Sequence, residues 1–180
     1  QNFEESIKYF LKGISLGNAD CMNAYGEALL YEIGVPIDKE EAMKYLRMAI
    51  SKGHVKAMYW AGKELIEKDI NNKEGIEYLK ISAESGEIGS IQILGEILQK
   101  GDERTPEDFE DALKYAKLGY EKGGYDSMID ISNLLVNQKV KEENIEETVN
   151  YIKEAAEKEE PYGLLGYGII LKTGSGVEKN

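Results

Sequence analysis

The chain has 180 residues, of which 42% are hydrophobic and 31% charged, a composition typical of a folded globular protein. Its formal net charge of -12 argues against non-specific binding to nucleic acid or to anionic lipid, because both reward a basic face. The apolar runs are too short to predict membrane insertion. A single cysteine excludes an internal disulfide framework and any cysteine-based zinc site.

Two independent residue markers recur along the chain with the same rhythm. Tyrosines recur at separations of 36, 33, 37 and 36 residues, and a glycine or serine follows each of them 17 residues later. The markers are Tyr9, Tyr45, Tyr78, Tyr115 and Tyr151, with Gly26, Gly62, Gly95, Ser132 and Gly168. A rhythm shared by two markers predicts one array of five copies of a single unit, with copies at about 2–37, 38–72, 73–106, 107–144 and 145–180.

Each copy is predicted to begin with a helix that is buried on one side. In the second copy, Ala42, Tyr45, Leu46 and Ala49 recur at helical spacing. A glycine follows this first helix in four copies, as expected where the chain needs a left-handed residue to turn, and Glu159 takes that place in the fifth. The turn glycines are Gly17, Gly53, Gly86 and Gly123.

Charge and capping residues predict where the first helices start. The clearest start is Thr105-Pro106, because threonine is a good N-cap and proline suits the first helical position. The residue four positions before each tyrosine is acidic, which predicts negative charge at helix starts, where the helix dipole favours it. These residues are Glu5, Glu41, Glu74, Asp111 and Glu147.

The second helix of each copy carries the recurring glycine or serine. Glycine inside a helix costs roughly 1 kcal/mol relative to alanine, so its recurrence predicts close approach of another helix. We expect the tyrosine of an adjacent helix to fill that space. A small residue precedes the marker by five positions, and a leucine follows it by three. The small residues are Cys21, Ala57, Ser90, Ser127 and Gly163, and the leucines are Leu29, Leu65, Leu98, Leu135 and Leu171.

These columns resemble the Sel-one-like repeats, whose pattern couples an alanine and a tyrosine in the first helix to a leucine-glycine in the second, before a glycine-valine loop. The matching stretches are 41–53, 94–96 and 168–177. The resemblance implies an all-α fold, a right-handed α-solenoid of about five helix-turn-helix repeats. Tetratricopeptide repeats are the nearest competitor, but their fixed period of about 34 residues fits less well.

The resemblance implies an adaptor or scaffold without a cofactor, which binds a segment of a partner protein on the concave face of the superhelix. The alternative is a regulatory repeat region of a larger enzyme or complex, such as a kinase or a ubiquitin-ligase subunit of protein degradation. Intrinsic hydrolase activity is a third hypothesis. It requires that His54, interpreted as a turn residue at a helix C-terminus, or Cys21, interpreted as a buried thiol, lie exposed in a pocket.

A basic ladder on the first helices is the one surface pattern that predicts a partner. Its residues lie two positions after the tyrosine or one position before it, so they share a helix face: Lys8, Lys44, Arg47, Lys80, Lys114, Lys117 and Lys153. A stripe of this kind would meet an acidic or phosphorylated segment. An ordinary solvated face is the simpler interpretation, because Lys80, Lys117 and Lys153 each have an acidic residue four positions later.

The two ends of the array predict its context. The helical pattern opens almost at once, at Phe3, and the chain stops at Lys179 and Asn180 inside an expected loop, which predicts an excerpt of a longer protein. The last helix ends in an uncovered apolar run, 166–171, so we expect self-association through uncapped ends. The single cysteine and the absence of an Asn-x-Ser/Thr sequon favour a cytoplasmic setting, with the endoplasmic-reticulum lumen as the alternative.

Overall fold

The computed structural model describes residues 2–100, 104–124 and 126–177, and within these ranges the chain forms ten α-helices and no strand. The expected chain end at Lys179 and Asn180 lies outside these ranges. The helices are α1 Phe3–Ser15, α2 Ala19–Leu30, α3 Lys39–Ile50, α4 Val55–Lys68, α5 Lys73–Glu84, α6 Ile88–Ile97, α7 Pro106–Glu121, α8 Ser127–Val136, α9 Glu142–Glu157 and α10 Pro161–Thr173. The all-α prediction is confirmed.

The chain divides into two units, Gln1–Glu87 with α1 to α5 and Ile88–Asn180 with α6 to α10. The border falls inside the third predicted copy, between its two helices. Consecutive helices pack on one another within each unit, and α10 also packs on α8. The five copy boundaries and the handedness of the expected superhelix stay predictions.

Four turns between helices use glycine in the left-handed region, with φ values of 77° at Gly17, 79° at Gly53, 90° at Gly86 and 91° at Gly123. The fifth turn places Glu159 in the same region, at φ 58°. A side chain there is disfavoured, so the repeat geometry imposes this conformation on a residue that does not prefer it. The predicted left-handed turn is confirmed at the four glycines, and Glu159 adopts the same conformation at the fifth turn.

The Thr105 start of α7 agrees with prediction, and the acidic column lies in the first turn of α1, α3 and α5. The Thr105 hydroxyl accepts from the Asp108 N–H, and the Asp108 carboxylate accepts from the Thr105 N–H, which makes a reciprocal cap. Asp111 and Glu147 are the sixth residues of α7 and α9, so the prediction that the acidic column marks every helix start is wrong at these two positions. Both helices begin earlier than the tyrosine spacing suggests.

His54 is the N-cap of α4, not a residue at a helix C-terminus. Its Nδ1 accepts from the Ala57 N–H at 3.1 Å, and its Nε2 lies 3.2 Å from Asp20 Oδ1. The acceptor role leaves the ring proton on Nε2, which donates to the carboxylate. The imidazole therefore satisfies a free N–H at the start of α4 and ties that start to α2.

The small-residue column of the second helices lets successive helices approach closely, as predicted. A Cβ added at Gly26 would lie 2.9 Å from Leu46 Cγ, and one at Gly62 would lie 2.9 Å from Leu79 Cγ. At Gly95 the nearest atoms belong to Ala116. The neighbour is in each case the residue directly after the tyrosine, so the prediction that the tyrosine itself fills this space is wrong.

Candidate functional site

Two residues of the basic ladder in the first unit, Lys44 and Arg47, are held in ion pairs. Lys44 Nζ lies 3.2 Å from Glu41 on the same helix. Arg47 on α3 binds Glu74 on α5 through two parallel contacts, at 2.5 and 2.9 Å. The Tyr78 hydroxyl donates to the same carboxylate at 2.9 Å. The hydrogen bonds from Arg47 hold the pKa of Glu74 below its ordinary value.

The second unit contains an equivalent ion pair in the same two repeat columns. Lys117 on α7 lies 2.6 Å from Glu147 on α9, as Arg47 lies against Glu74. The Lys117 ammonium also stands 5.5 Å from the ring centre of Tyr151, whose hydroxyl donates to the Lys117 carbonyl at 3.3 Å. Burial raises the pKa of Tyr151 to about 12. In these two cases a base two positions after one tyrosine pairs with the acid four positions before the next tyrosine, and we call each of the two pairs a repeat tie.

The tie at Lys117 borders a cleft of about 240 Å³ between α7, α9 and the loop before α9. Its floor is apolar, with Phe109, Leu113 and Val140. Four lysines and two glutamates stand around it, so this cleft is locally cationic on a chain of net charge -12. These residues are Lys114, Lys117, Lys139, Lys141, Glu110 and Glu147, and we call the site the basic cleft.

Two of these lysines form no ion pair with a carboxylate of the residues that the structure describes. Lys141 pairs with Glu110, and Lys117 with Glu147. The Lys114 ammonium stands 5.1 Å from the ring centre of the neighbouring Tyr115. Lys139 Nζ stands 4.6 Å from the ring centre of Phe109, and within the described ranges neither Lys114 nor Lys139 forms an ion pair. An anion entering the cleft would therefore gain two cations without breaking an existing pair.

The sequence pattern identified only half of this site. Lys114 and Lys117 belong to the predicted ladder, whereas Lys139 and Lys141 lie in a loop, outside every aligned helical column. The signal that could have identified these two lysines is their position on either side of Val140, in the loop that follows α8. The aligned repeat columns cover helices only, so the alignment did not include these two loop lysines.

The remaining ladder residues lie elsewhere. Lys8 stands with Lys12 beside an open hollow of about 450 Å³ along α1. Lys80 is half-buried on α5. Lys153 on α9 is exposed and lies 3.7 Å from Glu157, one turn further along the same helix. The structure therefore brings together Lys114 and Lys117 from the predicted set, with two loop lysines.

The residues considered for catalysis are not brought together. His54 caps a helix, and Cys21 is half-buried with its sulfur against Gly13. The two side chains form no hydrogen bond with each other. Among residues 2–100, 104–124 and 126–177, no three His, Cys, Asp or Glu side chains cluster as metal ligands. Over the same ranges, no helix combines the length and the hydropathy that crossing a bilayer requires.

Comparison with known proteins agrees with the helical pairs. The Sel1 repeat model matches residues 1–18, 19–54, 57–87 and 92–124. A crystal structure of a Sel1 repeat protein from Oxalobacter formigenes is similar over 99% of this chain and 74% of its own, with a TM-score of 0.76 and 18% identity. No curated protein sequence matches the chain.

A second crystal structure shows the same fold. It is a protective antigen of uropathogenic Escherichia coli strains with an SLR fold, similar over 99% of this chain with a TM-score of 0.71 and 21% identity. The chain spans 39% of the length of that antigen. The tyrosine and glycine columns, the ten helices and the matched repeats lead to one conclusion: the chain belongs to the Sel1 repeat family.

Proposed function

We propose that this chain is a non-enzymatic scaffold or adaptor that holds an acidic or phosphorylated segment of a partner protein in the basic cleft. Sel1 repeats generally act as protein-interaction modules, and an interaction module needs a surface whose chemistry selects a partner. The observation that carries the proposal is the pair of lysines without carboxylates, Lys114 and Lys139, above an apolar floor.

The size of the cleft limits what it can hold. About 240 Å³ is enough for one or two side chains but not for a whole helix. We therefore expect an apolar side chain of the partner to pack on Phe109 and Leu113, with flanking carboxylates or phosphates on the two lysines. Lysine ammonium groups act as point charges, so the site favours negative charge without demanding one fixed planar geometry.

The test measures fluorescence anisotropy of three labelled peptides that share one central leucine. The flanking residues are glutamate in the first peptide, phosphoserine in the second and glutamine in the third. We expect the unchanged chain to bind the two anionic peptides at low ionic strength, with affinity falling as salt rises, and to bind the glutamine peptide at least about tenfold more weakly. A preference between the first two identifies carboxylate or phosphate as the natural group.

The matched variants are the double substitution Lys114→Ala with Lys139→Ala and the single substitution Lys44→Ala. Lys44 holds the same repeat column as Lys114 but lies in the first unit, paired with Glu41. We expect the double variant to lose about tenfold or more in affinity for the anionic peptides, and Lys44→Ala to bind as before. Equal binding by both variants with intact helical circular dichroism, or no binding of either anionic peptide to the unchanged chain, would overturn the proposal.

A further inference from the structure

The two repeat ties differ in how many hydrogen bonds hold the carboxylate. In the first unit, Glu74 accepts two hydrogen bonds from Arg47, at 2.5 and 2.9 Å, and a third from the Tyr78 hydroxyl at 2.9 Å. In the second unit, Glu147 accepts one hydrogen bond within the described ranges, from Lys117 at 2.6 Å. Fewer bonds must break to release Glu147, so it is the more easily displaced carboxylate of the two.

The two partners of the second tie also differ in burial. The side chain of Lys117 is 19% exposed and that of Glu147 is 73% exposed, whereas Arg47 and Glu74 are exposed to similar extents in the first tie. The Lys117 ammonium stands 5.5 Å from the ring centre of Tyr151, so it keeps this contact when Glu147 leaves. An exposed carboxylate regains its hydration by rotating into solvent. The cation of this tie is therefore held in place, and the anion is exchangeable.

The exchangeable carboxylate lies in the basic cleft itself. Lys117 and Glu147 both line it, together with Lys114 and Lys139, which form no ion pair within the described ranges. Lys114 precedes Lys117 by three positions on α7, so the two lysines are neighbours on one helix face. The hydrogen bond from Lys117 holds the pKa of Glu147 below its ordinary value, so this carboxylate is charged near neutral pH. An anion held by Lys114 therefore meets, one helical turn away, a cation that Glu147 already occupies.

We propose, on the basis of the anionic partner proposed above, that Glu147 is an internal competitor for the basic cleft. In the free chain its carboxylate occupies Lys117, and a carboxylate or phosphate of the partner displaces it and binds the same ammonium. The bound segment then contacts three lysines, Lys114, Lys117 and Lys139. Because only one largely exposed carboxylate is displaced, the competition weakens binding without preventing it. Glu147 thereby sets how strongly anionic a segment must be before it binds.

The test compares two substitutions that remove the same charge from neighbouring positions, with the affinity of the phosphoserine peptide as the readout. Glu147→Gln removes the competitor, and Glu146→Gln is the matched control, because Glu146 is also exposed but is not among the residues that define the basic cleft. We expect Glu147→Gln to bind the peptide about fivefold more tightly at low ionic strength. The gain for Glu146→Gln should be no more than about twofold, since it reports only the change in net charge. Equal gains in the two variants would overturn the inference.

A double-mutant cycle with Lys117→Met identifies the cation for which Glu147 competes. This substitution removes the ammonium and keeps an apolar stem of similar length. In the Lys117→Met background the peptide still has Lys114 and Lys139, but Glu147→Gln should now gain no more than about twofold. A fivefold gain that persists without Lys117 would contradict displacement from that lysine. The comparison of Glu147→Gln with Glu146→Gln needs no change at Lys117, so it decides the matter even where Lys117→Met loses its helical circular dichroism.

The same measurements separate this inference from the proposed function. If the unchanged chain binds the phosphoserine peptide and Glu147→Gln binds it no more tightly than Glu146→Gln, the partner proposal stands and the competition is wrong. If neither the unchanged chain nor Glu147→Gln binds the peptide, both proposals are wrong.

Discussion

The two repeat ties occupy the same repeat columns, but the basic residues beside them differ in whether they form ion pairs. In the first unit, Arg47 holds Glu74 through two contacts, and Lys44 is paired with Glu41. In the second unit, the lysine–carboxylate tie at Lys117 stands beside two lysines without carboxylates, on the rim of an apolar cleft. The same repeat framework can therefore place its charged residues in ion pairs between helices, as in the first unit, or leave some of them outside ion pairs, where a ligand can bind, as in the second.

The largest difference between the two units should appear in the unfolding free energy when the recurring glycine of a second helix is replaced by alanine. Gly62→Ala in the first unit places a Cβ 2.9 Å from Leu79 Cγ and 3.0 Å from the Gly75 carbonyl oxygen, which should cost about 1–3 kcal/mol of unfolding free energy. Gly168→Ala in the second unit meets nothing within 4 Å and should gain about 0.5–1 kcal/mol from helix propensity. Urea unfolding measures both changes, and equal signs would contradict the assigned packing.

The second difference concerns Glu64, a charged residue in a repeat column that is apolar in the second unit. Glu64 on α4 is buried and pairs with Lys39 at 2.8 Å, whereas the second unit has Leu134 and Ile170 in that column. Lys39→Met should cost about 1–3 kcal/mol by leaving the carboxylate unpaired, at the low end because Lys39 itself is half exposed.

The double variant Lys39→Met with Glu64→Leu is the control for this contrast. It replaces the buried ion pair with apolar groups, so its unfolding free energy should return to the original value or rise above it. Chemical denaturation of the single and double variants measures the difference. A double variant as unstable as Lys39→Met alone would show that the pair contributes more than its desolvation costs.

The smallest expected effect is the pH dependence of the first repeat tie. Because Arg47 lowers the pKa of Glu74 in the folded state, the pair stabilises the fold fully above the ordinary carboxylate pKa of 4.5. This contribution is lost as the pH falls through the lowered value. Arg47→Met should therefore cost up to about 1 kcal/mol near neutral pH, since both side chains are partly exposed, and less in acid.

Urea midpoints of the unchanged chain and the Arg47→Met variant, measured at neutral and strongly acidic pH, test this dependence. The gap between the two midpoints should narrow in acid. A gap that stays constant would mean that Arg47 acts through the packing of its aliphatic stem and not through its charge.

Much of the fold follows from residues that report on a single helix. The turn glycines and the Thr105 start depend on local backbone preferences, and the structure confirms them. The repeat ties could not be derived in the same way. Whether Arg47 meets Glu74 depends on the register between two helices, and an alignment of copies compares equivalent positions without measuring distances between them.

The basic cleft was predictable only in part for a related reason. Lys114 and Lys117 recur in columns, so alignment finds them, but Lys139 and Lys141 occupy a connection whose length varies between copies. His54 is a similar case, because a histidine beside a turn glycine fits either the end of one helix or the start of the next. The hydrogen bond from the Ala57 N–H decides between them.

We propose that the anionic partner binds at Lys114 and Lys139 in the basic cleft. The most direct test is an NMR titration of the isotope-labelled chain with the phosphoserine peptide, following backbone amide shifts. We expect the largest changes around Lys114 and Lys139, and little change around Lys44 and Arg47. Changes centred on Lys44 and Arg47, or spread evenly over all ladder lysines, would contradict the account.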